Sequence, residues 1–232
     1  TAHFPYGDKS KAALCNYASE ITHFLLAKNV KLILIACHTA SSVAFETVRA
    51  LAADKALVVN VIDPTVELLR QQHAAARKIG IIATKQTIGS GVYQKRIAAA
   101  LPQITIAAHA TPILAPAIEE GFAANSAIDH ILEVYLNHPS LVDIDALVLA
   151  CTHYPLIKDK IAAFYAKKPI AIIDPSVVVA VEVERVLASH SLLNDTAKSY
   201  QHFYVSDATD AFLKNARLFF GAEIALETQC PA

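Results

Sequence analysis

Two stretches constrain the fold of this chain more than anything else in it: KLILIACHTASS at 31–42 and DALVLACTHYPLI at 145–157. Each begins as a short continuous apolar run of Leu and β-branched residues, ends in Ala-Cys, and passes into a Thr-containing segment that opens a helix-like pattern. Cys37 and Cys151 therefore stand at two equivalent strand ends. In an open α/β sheet the crevice outside the carboxyl ends of the strands is where ligands bind. One strand-end Cys is more often a small buried hydrophobe. The repeat tips the reading toward chemistry.

The remainder of the chain alternates in the same way. A helix over residues 9 to 28 places Ala13, Leu14, Tyr17, Ile21, Phe24 and Leu25 at helical spacing, with Ser10 as its cap and Cys15 as plain core. Strand 31–36 leads to the first Cys segment and a helix ending about Ala53, then a strand in ALVVNVI and a helix from Asp63-Pro64 to about Lys78. KIGIIAT reads as a strand, Thr-Ile-Gly-Ser-Gly as a turn before the next helix, ITIAA as a strand, and residues 127 to 137 as a helix. After the second Cys strand come a helix in PLIKDKIAAFYAK, the strand PIAIID, a helix over 176–189, the strand YQHFYV and a helix from about Asp207 to Phe220. Such alternation predicts an α/β fold with parallel sheets covered by helices on both faces. No tight repeat indicates a solenoid. The two Cys strands instead suggest two half-molecules, each giving one thiol to a shared cleft.

Composition excludes several classes. With 232 residues, 54% of them hydrophobic, the chain is long and apolar enough for a large core and is not a disordered segment. No apolar run approaches the ~18 residues of a membrane span, and TAHFPYGDKS lacks the order of a signal peptide. A net charge of -1 offers no basic field for nucleic acid and no patch for an anionic membrane. Cys15, Cys37, Cys151 and Cys230 are widely spaced with no CxxC pair, which reads as reduced thiols in a cytoplasm. The chain starts at Thr1 and contains no Met, where ordinary composition gives a few; a missing N-terminus is one expectation and methionines left out of the sequence as written is the other.

Two thiols facing one another suit proton exchange at a carbon held between them. A thiolate on one face removes a weakly acidic proton and a thiol on the other returns one, so the stereocentre inverts and neither sulfur forms a covalent bond. A free thiol is mostly protonated at neutral pH, and the helix start after each strand is expected to help through its partial positive charge. The same backbone N–H groups, with the Thr39 and Thr152 hydroxyls, would hold a carboxylate. His153, two residues past Cys151, is placed to assist proton transfer or to stabilise the thiolate.

These residues carry a resemblance. FPYGDKS at 4–10, ACHTAS at 36–41, ATKQTIGSGVYQ at 83–94, IEEG at 118–121 and LACTHYPLI at 149–157 are similar to the glutamate racemases of the aspartate/glutamate racemase superfamily, cofactor-independent enzymes of bacterial cell-wall synthesis. The Thr-His-Tyr-Pro tail of the second motif is the most specific match. The resemblance implies two α/β domains in pseudo-twofold arrangement, one of residues 1–62 plus 175–232 and the other of 63–174, with glutamate bound in the cleft between them. It implies Cys37 and Cys151 as the paired acid and base, Cys151 acting on L-glutamate and Cys37 on D-glutamate. It places Tyr6, Gly7, His38, Thr39, Thr152 and His153 on substrate-binding positions and Glu119 beside the site. It implies neither cofactor nor metal, a small-molecule substrate and no nucleic-acid or membrane partner; a homodimer is left open.

The chain departs from that pattern in two places. The family's N-terminal strand and Asp-Ser-Gly loop are not in the sequence, and His38 stands where the family usually has Asn. A cationic His38 would favour the Cys37 thiolate; a neutral one would only donate a hydrogen bond. Other constellations are weaker. The turn with Gly89 and Gly91 has neither GxGxxG nor a P-loop Lys, His109, His130 and His138 lack metal-ligand spacing, and Glu119-Glu120 has no second carboxylate motif to make a glycosidase. A sister racemase for aspartate or a hydantoin, and a non-catalytic protein-binding homologue, stand as alternatives.

Overall fold

The computed structural model describes residues 2–194, 200–209, 212–213, 216 and 225–229. A four-stranded parallel sheet forms its centre. Its strands are β3 (Lys78–Ala83), β4 (Thr105–Ala110), β5 (Ala146–Ala150) and β6 (Ala171–Ile173), in the order β4-β3-β5-β6. All five residues of β5 are buried, as a strand covered on both faces must be, which is why ALVLA is uniformly apolar rather than alternating.

Side-chain alternation divides the core on this sheet into two layers. Leu147, Leu149 and Ile82 point to the side covered by α6 (Leu114–Glu119), α7 (Ala127–Leu136) and α8 (Lys158–Phe164), meeting Leu114, Ile128, Leu132 and Ile161. Ala146, Val148, Ile79 and Ile81 point the other way, onto α3 (Ile62–Gln72), α5 (Val92–Ala100) and α9 (Ser176–Ser189), meeting Leu69, Tyr93, Ile97 and Val179. Fully burying each large aliphatic side chain contributes roughly 1.5–3 kcal/mol, so both layers stabilise the sheet independently of what happens at its edge.

A second parallel pair, β1 (Leu32–Ile35) with β2 (Leu57–Asn60), packs on α1 (Lys11–Ala27) and α2 (His38–Ala52) around Ile33, Ile35, Val48 and Ala52. A third pair joins β7 (Phe203–Val205) to β8 (Leu226–Thr228), also parallel. The α/β class with parallel sheets is thus observed. Ser10 caps α1 as expected, its side chain accepting from the Ala13 N–H at 3.2 Å. Ile21, counted on the buried face of that helix, is 42% exposed; Leu14 and Thr22 are its buried residues.

Several boundaries differ from those the sequence suggests. The third helix stops at Gln72, not Lys78, because His73 to Ala76 form a turn. Thr87 to Ser90, expected as a turn, belong to a short helix α4 (Lys85–Ser90): Thr84 caps it and Gly91, at φ 66°, ends it. The helix α6 is not expected from LAPAIE, which carries Pro116; the proline falls in the first turn, where its missing N–H costs nothing. The segment after Cys151 is a turn and a 3₁₀ stretch, Tyr154–Ile157, before α8 begins. The strand β8 is also unexpected, and the helix expected from Asp207 to Phe220 lies largely outside the described residues, as does Cys230.

Candidate active site

The site is built where strands leave the central sheet. Register pairs Ala83 of β3 with both Ala150 of β5 and Ala110 of β4, so Thr84, Cys151 and Thr111 step off the carboxyl edge together. Cys37 arrives from the other parallel pair, two residues past the end of β1, as the cap of α2. Its Sγ accepts from the Ala40 N–H at 3.5 Å. The turn carrying Cys151 is pinned by Tyr154, which is fully buried and shares a 2.5 Å hydrogen bond with the Thr111 hydroxyl.

Both thiols face one cleft of about 240 Å³. Tyr6, Gly7, His38, Thr39, Thr152 and His153 line the same cleft, so eight of the nine residues singled out from sequence converge there. Glu119 stands one step behind. Its Oε2 lies 2.8 Å from His153 Nε2. A carboxylate only accepts, so His153 donates from Nε2, and its Nδ1 is left toward Cys151 Sγ at 3.8 Å. Glu119, His153 and Cys151 form a line that ends in the cleft.

Burial disfavours the thiolate at both sulfurs. Burial pushes Cys151 up to about 12, against a backbone hydrogen bond from His153 that lowers it; the neighbouring Cys37 raises it further. Burial also raises Cys37, although the N–H groups of Ala40 and Thr39 and the Thr39 hydroxyl pull it down. The expected help from helix starts is present at Cys37 and loses to desolvation; Cys151 has a turn, not an α-helix, beyond it. The two sites are therefore unequal.

His38 is 4% exposed, with Nδ1 2.8 Å from the Tyr93 hydroxyl, and burial lowers its pKa to about 3 against a small opposing influence of Asp174. Burial thus disfavours the cationic form of His38. In the cleft wall His38 shares a hydrogen bond with Tyr93, an arrangement that suits the neutral imidazole.

Two threonines not singled out from the sequence, Thr84 and Thr87, join Thr39 in supporting the wall. The three close a triangle of hydroxyl contacts at 2.9, 3.1 and 2.9 Å, tying the first turn of α2 to α4. Thr84 and Lys85 line the cleft, as do Phe4, Asp8 and Pro112. Thr84 and Lys85 fall within the ATKQTIGSGVYQ match and are legible there; Pro112 gives no signal. Among the described residues no group of three or more His, Cys, Asp or Glu is arranged to hold a metal ion, and no helix is long and apolar enough to cross a membrane.

Residues 3–183 match the family described as Asp/Glu/Hydantoin racemase. The chain belongs to the Asp/Glu/hydantoin racemase family. It is accordingly an isomerase of the racemase class. It is similar to the glutamate racemase of Chlorobaculum parvum, 37% identical over 225 residues that make up 97% of this chain and 82% of that protein. Its structure is similar to that of glutamate racemase from Francisella tularensis in complex with D-glutamate, with a TM-score of 0.89 and 33% identity, covering 98% of this chain and 84% of that one. Aspartate racemase from Picrophilus torridus shares the fold alone, at a TM-score of 0.52 and 18% identity over 79% of this chain and 72% of that one.

Proposed function

We propose that the protein interconverts L- and D-glutamate without a cofactor, using Cys37 and Cys151 as acid and base. The observation that carries this reading is that two thiols from separate strand ends line one cleft together with Thr39 and Thr152. Bound glutamate presents its α-carbon between the sulfurs. One sulfur, as thiolate, takes the α-proton; the opposite thiol delivers its own proton to the other face of the carbanion. Proton count is conserved, and the two sulfurs exchange states in each turnover.

Ordering of charge makes the step feasible. The α-carboxylate is held by the Thr39 and Thr152 hydroxyls and by the N–H groups at the start of α2, which bear the partial positive charge of a helix terminus. On the other side, His153 supplies the proton traffic for Cys151, and Glu119 fixes its tautomer. Cys151 is assigned to L-glutamate and Cys37 to D-glutamate. Glutamate is preferred over aspartate because the glutamate racemases are similar in sequence as well as fold, whereas the aspartate enzyme shares the fold alone. A non-catalytic role is disfavoured by the retention of both thiols in one cleft. The same reading divides the chain at 1–62 plus 175–232 and 63–174, and gives the product D-glutamate to peptidoglycan synthesis in the cytoplasm.

The test is circular dichroism of L- or D-glutamate incubated with exhaustively dialysed protein. Both should decay to zero rotation, and Cys37→Ser or Cys151→Ser should each slow the decay by ~10³-fold or more, since a hydroxyl is a far poorer base than a thiolate. Cys15→Ser, whose thiol only donates to the Val43 carbonyl inside α1 and α2 packing, should retain it. Activity that appears only on adding pyridoxal phosphate would sink the reading.

A further inference from the structure

We propose that Phe4 is a positioning residue for racemisation, its ring covering His153 and keeping that side chain aimed at Cys151; this rests on the two-thiol reading above. The segment ahead of α1 is held on both sides of Phe4. The Ala2 N–H donates to the Ser206 hydroxyl at 3.0 Å, and His3 stacks on Tyr17 of α1 with ring centroids 3.8 Å apart and planes 2° from parallel. Beyond Phe4, the Tyr6 ring lies 6.1 Å from the same Tyr17. Between these anchors the Phe4 ring meets His153, at 5.9 Å between centroids and a tilt of 45°, within the range of favourable aromatic pairs. Phe4 lines the cleft and is 39% exposed, so its bulk serves the site more than a core.

What Phe4 covers is a polar line that water would loosen. His153 Nε2 and Glu119 Oε2 are 2.8 Å apart, with side chains 21% and 22% exposed, and His153 Nδ1 is 3.8 Å from Cys151 Sγ. The sulfur contact is long, so its use in proton transfer depends on the angle at which the imidazole is held. A hydrogen bond at Nε2 leaves the ring able to pivot about that nitrogen. An apolar ring packed against the imidazole restricts the pivot and keeps water from competing for the Glu119 carboxylate. Cys37 is served by different groups: its Sγ accepts from the Ala40 N–H at 3.5 Å, at the start of α2. Phe4 therefore acts on one thiol of the pair, through His153.

The experiment measures kcat, KM and the primary isotope effect on kcat/KM with α-deuterated L- and D-glutamate, in wild type, Phe4→Ala, Phe4→Leu and His153→Gln. Both enantiomers must lose kcat/KM by the same factor, because the ratio is set by the equilibrium constant. Their isotope effects need not move together. Slowing proton transfer at one sulfur makes abstraction by that sulfur more fully limiting and abstraction by the other more nearly reversible. The isotope effect then rises for one enantiomer and falls for the other. Phe4→Ala should lower kcat about tenfold, part of the ~10²–10⁴-fold that a well-placed acid–base group contributes, with KM within about threefold. Its isotope effects should diverge in the same sense as those of His153→Gln. Phe4→Leu keeps apolar cover and should stay within about threefold of the wild-type kcat. An unchanged kcat in Phe4→Ala overturns the proposal, and so does a raised KM with kcat kept, which would mark a substrate contact. Isotope effects that do not diverge, or diverge against the sense of His153→Gln, overturn it as a merely structural role would. Phe4→Leu as impaired as Phe4→Ala overturns it too. Wild type inert toward glutamate removes the glutamate reading and this inference with it, whereas active wild type with a silent Phe4→Ala removes this inference alone.

Discussion

A buried histidine beside a catalytic-type thiol is a place where pH dependence is easily misassigned. His38 binds a proton far less readily in the fold than in the unfolded chain, where its pKa is near the ordinary 6.5; in the fold it is about 3. The unfolded state thus binds more protons below pH 6.5. The stability tied to neutral His38 is complete above that value and is lost as pH falls toward 3, at up to about 1.4 kcal/mol per pH unit. His38→Asn should therefore flatten the acid side of the stability profile between pH 6.5 and 3, measured by urea unfolding. At pH 8 it should cost about 1 kcal/mol for the lost bond to Tyr93. Profiles of kcat/KM between about pH 5.5 and 9 should have the same shape for the two proteins. A wild-type inflection near 6.5 that vanishes in the variant would restore a charged His38. The sequence locates this residue beside Cys37, yet its charge state depends on burial by elements distant in the chain, and no local pattern encodes that.

At the scale of elements, the site depends on how α2 and α4 are clasped. Gly7 lies against that clasp: a Cβ there would come 2.8 Å from Thr84 Cβ and 3.0 Å from its Cγ2. Thr84 cannot simply turn away, because its hydroxyl caps α4 and belongs to the threonine triangle. Gly7→Ala should therefore break the triangle, lowering stability by about 1–2 kcal/mol and racemisation by tenfold or more. Gly89→Ala is the matched control. It lies within α4, is exposed, meets nothing within 4 Å, and should stabilise by about 0.5–1 kcal/mol with activity intact. Equal effects of the two changes, read by Tm and kcat/KM, would show that backbone freedom and not the Thr84 contact matters. Elements with strong periodicity are legible in the sequence: α9 runs over Ser176–Ser189 as its pattern indicates, and both Cys strands lie where expected. Short elements are not. The helices α4 and α6 have six residues each, too few for periodicity to show, and they rest on a threonine cap and a first-turn proline whose meaning depends on knowing where the helix starts.

For the whole molecule, the question is whether the cleft couples the parts that form it. Cys37, His38 and Thr39 come from the β1–α2 side, whereas Thr84, Cys151, Thr152 and His153 come from the edge of the four-stranded sheet. A ligand bound by both sides is bound only when both are folded, so its binding free energy stabilises the two together. At a glutamate concentration one hundred times Kd the gain is about 2.7 kcal/mol, which for a chain of 232 residues amounts to roughly 5–10 °C in Tm. The Cys37→Ser/Cys151→Ser protein allows the measurement without turnover, since hydroxyls keep the shape of the cleft but lack the base, and each enantiomer can then be tested separately. Calorimetry should show the transition of the full protein moving upward with either enantiomer. If unfolding is resolved into two transitions, the lower should move up toward the upper, because either half unfolding alone destroys the site and releases the ligand. A shift confined to the upper transition would place the ligand on one half only, and the two thiols could not then act on opposite faces of the same carbon.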